Sequence, residues 1–176
     1  MTASKTSMVR IGVISDTHGH LDPAVGVVFA GVQLIIHAGD IMDPATIEEL
    51  ERIAPVIAVA GNMDDAKLGP LPREVTGEVA GVRFVAGHKR KRLLKRLALG
   101  KIEGVTKEDP PDLVIFGHDH VPAVEWVEGS LYLNPGTATS PHEEDEVPTV
   151  AVVEVEKTGL SVRFVPLPRS TESLGG

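Results

Sequence analysis

The chain of 176 residues contains no cysteine. That absence excludes a disulfide framework, a thiolate zinc site, an iron–sulfur cluster and a cysteine nucleophile. Aromatic residues make up only 3%, too few for an extended platform on which nucleic-acid bases would stack. Excess positive charge is missing as well. The net charge is −8, opposite in sign to that expected of a general nucleic-acid coat. No long apolar run occurs: the longest, residues 24–32, falls far short of the roughly 20 residues that span a bilayer. Residues 1–8 are polar and lack the apolar centre of a signal peptide. What is present is ordinary globular composition, 42% hydrophobic and 24% charged. A chain of this length buries roughly 70% of its unfolded surface, enough for one full core. The expectation is a cytoplasmic protein without a membrane partner, with one domain over residues 9–166 between disordered tails at 1–8 and 167–176.

The first half alternates strands and helices. Residues 9–15 (VRIGVIS), 32–37 (VQLIIH) and 55–60 (PVIAVA) are β-branched runs of strand character. Asp22-Pro23 and Asp43-Pro44 carry the helix-start signal of an N-cap followed by proline. The spacing predicts helices over 23–30 and 44–54, and so a parallel α/β arrangement. The second half reads as a hairpin over 74–79 and 82–86, then a basic helix over 89–99. A buried strand follows at 112–116 (DLVIF), and two further hairpins cover 122–133 and 149–165. A parallel half followed by an antiparallel run suggests two packed sheets with helices outside.

The chemistry sits just after these strands, where open α/β sheets bind ligands. Asp16-Thr17-His18 follows the first strand and Gly39-Asp40 the second. Gly61-Asn62 follows the third, and Gly117-His118-Asp119-His120 follows DLVIF. Residues i and i+2 at a strand end point the same way. Asp16 and His18 can therefore converge on one ion, as can His118 and His120. Nitrogen and oxygen donors without sulfur suit Mn²⁺, Fe²⁺, Zn²⁺ or Ni²⁺ better than Ca²⁺ or Mg²⁺ alone.

Several neighbours have plainer explanations. Asp43 and Asp22 read as helix caps, and Asp64 and Asp65 as turn residues. His37, in an apolar strand, reads as a core histidine or one that supports a ligand, and His142 as a solvated side chain in an acidic loop. One DxH alone is a weak signal. The ordered set DxH, GD, GN and GHxH, each after a buried strand, is a specific one.

That set, with Asn134-Pro135-Gly136, resembles the calcineurin-like metallophosphoesterase superfamily. The IGVISDTHG, IIHAGD and LVIFGHDH segments look most like its small prokaryotic phosphodiesterase branch, which is itself similar to the retromer subunit of the same fold. The resemblance covers residues 9–155. It implies an α/β fold, a four-layer αββα sandwich with two mixed β-sheets, and two divalent metal ions, Mn²⁺ foremost. Asp16, His18 and His120 would bind the first ion, Asn62 and His118 the second, and Asp40 would bridge them. The implied activity is a metal-dependent phosphodiesterase acting on small phosphodiesters or nucleotides through a hydroxide held between the ions. Asp40, Asn62 and His88 are the residues expected to carry catalysis.

Three positions depart from the family pattern. Met63 stands where many members have a general-acid histidine. Ala86 stands where a histidine would complete the second site, which is therefore expected to be weak unless His88, two residues on, replaces it. Asp119 stands where a small threonine is common and could accept a hydrogen bond from a ligating imidazole. Ala86 and Met63 favour an alternative, a non-catalytic protein-interaction module with an incomplete second site. Seven of the 17 basic residues fall between Lys89 and Lys101, a patch that would attract phosphate or simply solvate a helix. Nucleic acid is not an expected partner, and the oligomeric state is left open.

Overall fold

The computed structural model describes residues 8–139, 147–156 and 159–168. Among the described residues ten strands form two five-stranded sheets, accompanied by three helices. The first half forms β1 (Val9–Ile14), α1 (Ala24–Val28), β2 (Leu34–His37), α2 (Pro44–Glu51) and β3 (Val56–Ala58). The second forms β4 (Glu74–Val79), β5 (Val82–Gly87), α3 (Arg90–Ala98), β6 (Leu113–Ile115), β7 (Ala123–Val127), β8 (Ser130–Asn134), β9 (Thr149–Glu156) and β10 (Gly159–Pro166). A single 3-10 turn covers Ala66–Leu68.

The strand orders are β10-β9-β1-β2-β3 and β4-β5-β6-β8-β7. Both sheets are mixed. β1, β2 and β3 run parallel, and β9 returns antiparallel beside β1. In the other sheet β5, β6 and β8 run parallel, flanked by antiparallel β4 and β7. The second half is therefore no simple antiparallel run. Its hairpins are local, but β6 joins β5 and β8 in parallel, and the last hairpin crosses back to the first sheet.

Alternation along the strands builds three apolar layers. Ile11 and Val13 of β1 face Phe84, Leu113, Ile115, Leu131 and Leu133 between the sheets. Ile14, Ile35 and Val152 pack outward under α1 and α2 with Val25, Phe29 and Leu50. Val85 and Val114 pack outward under α3 with Leu93 and Phe116. The order is helices, sheet, sheet, helix, which is the four-layer sandwich expected. Burying a side chain such as Phe29 contributes roughly 1.5–3 kcal/mol, so each layer is a substantial share of marginal stability.

Asp43 caps α2 by accepting from Ala45 N at 2.9 Å, and Asp22 accepts from Ala24 N at 2.7 Å. Asp65 likewise caps the 3-10 turn through Lys67 N. Leu167 is buried in the layer under α1 and α2, and its N–H bonds to Pro148 O. The packed chain thus runs into the segment expected to be a tail. His142, its acidic loop, residues 1–7 and residues 169–176 lie outside the described residues. Among the described residues no helix is long and apolar enough to cross a membrane.

Candidate metal centre

The loops after β1, β2, β3, β5 and β6 meet where the two sheets end together. The β1 and β2 loops are tied by backbone bonds: Asp16 N to Gly39 O at 2.9 Å and His18 N to Asp40 O at 3.0 Å. The β6 loop joins them through His118 N, which donates to Asp16 Oδ2 at 3.1 Å. Glycine makes this closeness possible. A Cβ at Gly61 would sit 2.0 Å from Asp40 Oδ1, and one at Gly117 would sit 2.0 Å from Ser15 Oγ. Those two positions exclude any side chain.

The backbone is also bent for the purpose. Asp16, His18, Asp40, His118 and His120 all have left-handed φ, between 47° and 73°. Non-glycine residues in sparsely populated φ/ψ regions cost about 1–3 kcal/mol each and persist where surrounding structure forces them. Here the forcing contacts are visible. Thr137 Oγ1 donates to Asp16 O at 3.0 Å, and Ala138 N donates to Ser15 O at 3.0 Å. The Asn134-Pro135-Gly136 turn presents Asn134 Nδ2 to Gly117 O at 3.2 Å.

Two groups of ligand atoms result. Asp16, His18 and His120 form one, and Asp40, His88 and His118 the other; within each, the ligand atoms lie within 4.8 Å of one another. In the first, His18 Nε2 and His120 Nε2 are 3.3 Å apart, and Asp16 Oδ1 lies 3.3 Å from His120 Nε2. Asp16 is fully buried, yet Oδ1 accepts no hydrogen bond. A buried carboxylate oxygen without a donor is costly, and a cation between Oδ1 and the two imidazoles would satisfy it. The donor set therefore fits a divalent ion. In the second group, His88 Nε2 lies 3.3 Å from Asp40 Oδ2 and 3.2 Å from Asn62 Oδ1. His88 Nδ1 sits 2.8 Å from Ala38 O. A carbonyl only accepts, so Nδ1 carries a proton, and Nε2 is the atom left to bind an ion.

The titratable groups are displaced accordingly. Burial pushes the Asp16 carboxyl up, but His120, the Ser15 hydroxyl at 2.5 Å, the His88 charge and His118 N–H outweigh it, and its pKa lies below the ordinary value. Asp40 behaves alike: burial is overcome by His88 and by Met63 N–H, which donates at 2.8 Å. His88 is opposed by burial and raised on balance by Asp40. His118 is lowered by burial and by the positive charges of His88 and Lys89, against the pull of Asp119.

The sequence singled out most of these residues and left open whether His88 takes the place of the ligand missing at Ala86. Ala86 is fully buried in the core between the sheets, one pleat below the edge. His88, on the same face two residues later, is the side chain at the edge. Asp40, His88 and His118 are the side chains brought together there, and Ala86 is not among them. Asn62 is exposed beside His88. Met63 is half exposed and offers its backbone N–H to Asp40 rather than any side-chain proton.

Three residues support the centre; Ser15 and Asp64 were not legible as such, whereas His37 was read as a core or supporting histidine. Asp64 is more than a turn residue: Oδ1 accepts from Ile41 and Met42 N–H at 2.7 and 2.8 Å, and Oδ2 from Gly61 N–H at 2.8 Å. It latches the β2 loop to the β3 loop. Ser15 orients Asp16. His37 is fully buried; Gly39 N donates to its Nδ1 at 3.2 Å, which puts the ring proton on Nε2, facing Thr17 Oγ1 at 3.1 Å. Burial pushes its pKa down to about 4. Only the proximity of Ser15 and Asp64 to the motifs hinted at these roles.

Residues 9–158 match the model of the calcineurin-like phosphoesterase superfamily domain. A probable metallophosphoesterase of Methanothermobacter thermautotrophicus is 34% identical over 160 residues, 88% of this chain and 91% of that protein. A phosphodiesterase of Methanocaldococcus jannaschii is 27% identical over 166 residues, 85% of this chain and 95% of that protein. Among solved structures, an archaeal phosphodiesterase superposes with a TM-score of 0.71 at 26% identity, covering 90% of this chain and 100% of that one. A zinc complex of Vps29 from Entamoeba histolytica superposes with a TM-score of 0.69 at 21% identity, covering 90% and 98%.

Proposed function

The chain belongs to the calcineurin-like phosphoesterase superfamily, and on that premise we propose that it is a metal-dependent phosphodiesterase acting on small phosphodiesters or nucleotides. The observation that carries this reading is the meeting of two ligand groups, Asp16–His18–His120 and Asp40–His88–His118, at one edge of the sandwich. In this proposal Asp16, His18 and His120 hold a first divalent ion. Asn62, His88 and His118 hold a second, and Asp40 lies between them as a shared anion. When bound, the ions supply Lewis acidity, lowering the pKa of water and neutralising charge on the phosphoryl oxygens. Nitrogen and oxygen donors make Mn²⁺ the ion to test first.

The chain's own residues do the positioning. Ser15 and the His118 N–H hold one edge of the Asp16 carboxylate, leaving Oδ1 for the ion. Ala38 O keeps the His88 proton on Nδ1, so Nε2 is the ligand atom. Met63 N–H fixes Asp40 Oδ1. Hydrolysis forms a bond from water oxygen to phosphorus and breaks the ester P–O bond, and the departing oxygen takes a proton. Met63 has none to give, so good leaving groups are favoured; a positioned general acid is typically worth ~10²–10⁴-fold.

The alternative, a non-catalytic interaction module, rested on Ala86 and Met63. The proposed reading gives the place of Ala86 to His88, which supports the enzyme; Met63 supports the module. The deciding measurement pairs elemental analysis with hydrolysis of bis-p-nitrophenyl phosphate, with and without Mn²⁺. Two ions bound per chain and Mn²⁺-dependent turnover support the enzyme. Absence of both supports the module.

A further inference from the structure

Beside Asn62 and His88 a cavity of about 230 Å³ opens, bordered also by Arg73, Lys89 and Arg92. Three cationic side chains around one cavity stand out in a chain of net charge −8. They are not equivalent. Arg92 is paired with Glu74, Nε to Oε1 at 2.9 Å, and Arg96 holds the other oxygen of the same carboxylate at 3.3 Å. Arg90, next in the run, is committed to Glu125 and lies over the Phe116 ring. Arg73 and Lys89 are exposed and have no carboxylate partner among the described residues.

Their placement follows from the fold. Ala60 N donates to Pro72 O at 2.8 Å, which sets the segment entering β4, and so Arg73, alongside the β3 loop that bears Asn62. Lys89 directly follows His88 as the N-cap of α3 and offers no capping side chain. The first N–H groups of α3 and its positive dipole end add to the same field.

We propose that this cavity is a second anion subsite, and that the favoured substrates are phosphodiesters carrying an additional phosphate group, as in a nucleotide diester that also bears a terminal phosphate. The inference deepens the phosphodiesterase reading and rests on it. The scissile diester would lie at the ion ligands Asn62 and His88, which form one wall of the cavity. A second phosphate within a nucleotide's length would then reach Arg73 and Lys89. Two unpaired cations match a dianion, and charge-assisted hydrogen bonds are about twice as strong as neutral ones.

The test is inhibition of bis-p-nitrophenyl phosphate hydrolysis by thymidine 3′,5′-bisphosphate and by thymidine 5′-monophosphate. Calorimetry of both ligands with the Mn²⁺-loaded protein runs in parallel. Wild type is expected to bind the bisphosphate at least about tenfold more tightly. The Arg73→Gln/Lys89→Gln double variant should reduce that ratio to about one. Lys91→Gln removes one charge from the same helix away from the cavity and should keep the ratio. Equal binding of the two nucleotides by wild type overturns the subsite, as does an equal loss of preference in Lys91→Gln, which would mean a diffuse field. Absence of turnover with the calorimetric preference intact would overturn the phosphodiesterase reading and leave the subsite standing. Turnover without the preference would do the reverse.

Discussion

The Asp16–His18–His120 group hangs entirely on loops, whereas the Asp40–His88–His118 group includes a side chain, His88, that directly continues strand β5. All three residues of the first have left-handed backbone. That strain is held by contacts from elsewhere: Ser15 and His118 on the Asp16 carboxylate, and Thr137 on its carbonyl. In the second group Asp40 and His118 are left-handed too, but His88, in the bend just past β5, is not, and it is buried and pinned to Ala38 O. The first group is therefore a product of its braces, and the second draws on the sheet itself. The difference separates two kinds of fragility. Removing a brace should hurt the first group most, and disturbing the packing at the end of β5 should hurt the second.

The largest expected effect erases the comparison altogether. Asp40→Asn removes the shared anion, and both ions should be lost together. Lewis-acid stabilisation of several kcal/mol goes with them, so activity should fall about 10³-fold or more. Elemental analysis of the purified variant checks this; loss of one ion only would mean that Asp40 belongs to a single site.

A second experiment probes the end of β5. Ala86→His forces a larger polar ring into the core between the sheets. Overpacking costs typically 1–3 kcal/mol, and an unpaired buried polar group adds about 1–3 kcal/mol. Urea denaturation should show a loss of about 2–6 kcal/mol without tighter ion binding. His88→Ala, by contrast, should leave one ion in place and remove the other. Should Ala86→His instead strengthen the second site, the strand end would lie elsewhere than described.

Acid tests the first group's support. His37 braces the β1 loop at Thr17 and the β2 loop at Gly39. Its folded pKa, about 4, lies below the ordinary 6.5. Between those values the unfolded chain binds a proton that the folded chain refuses, so stability falls as pH falls. The contribution is complete above pH 6.5 and fades toward pH 4, with a total on the order of 3 kcal/mol at 1.36 kcal/mol per pKa unit. In ion-free protein His88 acts in the opposite sense, because its pKa is raised. Comparing wild type with His37→Gln isolates the first effect: the variant should lose less stability than wild type between pH 7 and 5. Parallel curves would remove His37 from the account.

The smallest expected effect sharpens the contrast most. Ser15→Ala takes away the hydroxyl that orients Asp16 but leaves every proposed ligand. Changes at residues that support ligands typically cost 10–100-fold in metal affinity, roughly 1.4–3 kcal/mol. The loss should appear at one ion only, with the other titrating as in wild type. Equal weakening of both would show that the two groups respond as one unit.

Much of this was legible in the sequence, for reasons that can be named. Strand ends were visible because β-branched runs stop at Gly-Asp, Gly-Asn and Gly-His. Gly61 and Gly117 are dictated by carboxylates and a hydroxyl that lie where a Cβ would be, and Gly39 by its positive φ and by the Gly61 backbone and the His88 ring. Asp43 announced its cap by the proline that follows. Less was visible where contacts are long-range. Nothing local tells that Asp64 receives three N–H groups from two loops, or that Leu167 packs under α1 and α2. Two hairpins look alike in sequence whether they stay in one sheet or, as β9 does, return to β1.

The sequence by itself determined the strands, their order along the chain, the donor types at their ends and the exclusion of thiolate chemistry. Each of these depends on a residue and its near neighbours. Tertiary structure alone decided which donors meet. Ala86 and His88 share one face of β5, since alternation fixes the face of a residue but not its height. Which of the two stands in the core and which at the edge depends on where this strand ends against the opposite sheet. That level is set by packing between residues dozens of positions apart, and it makes His88 the donor that faces Asp40.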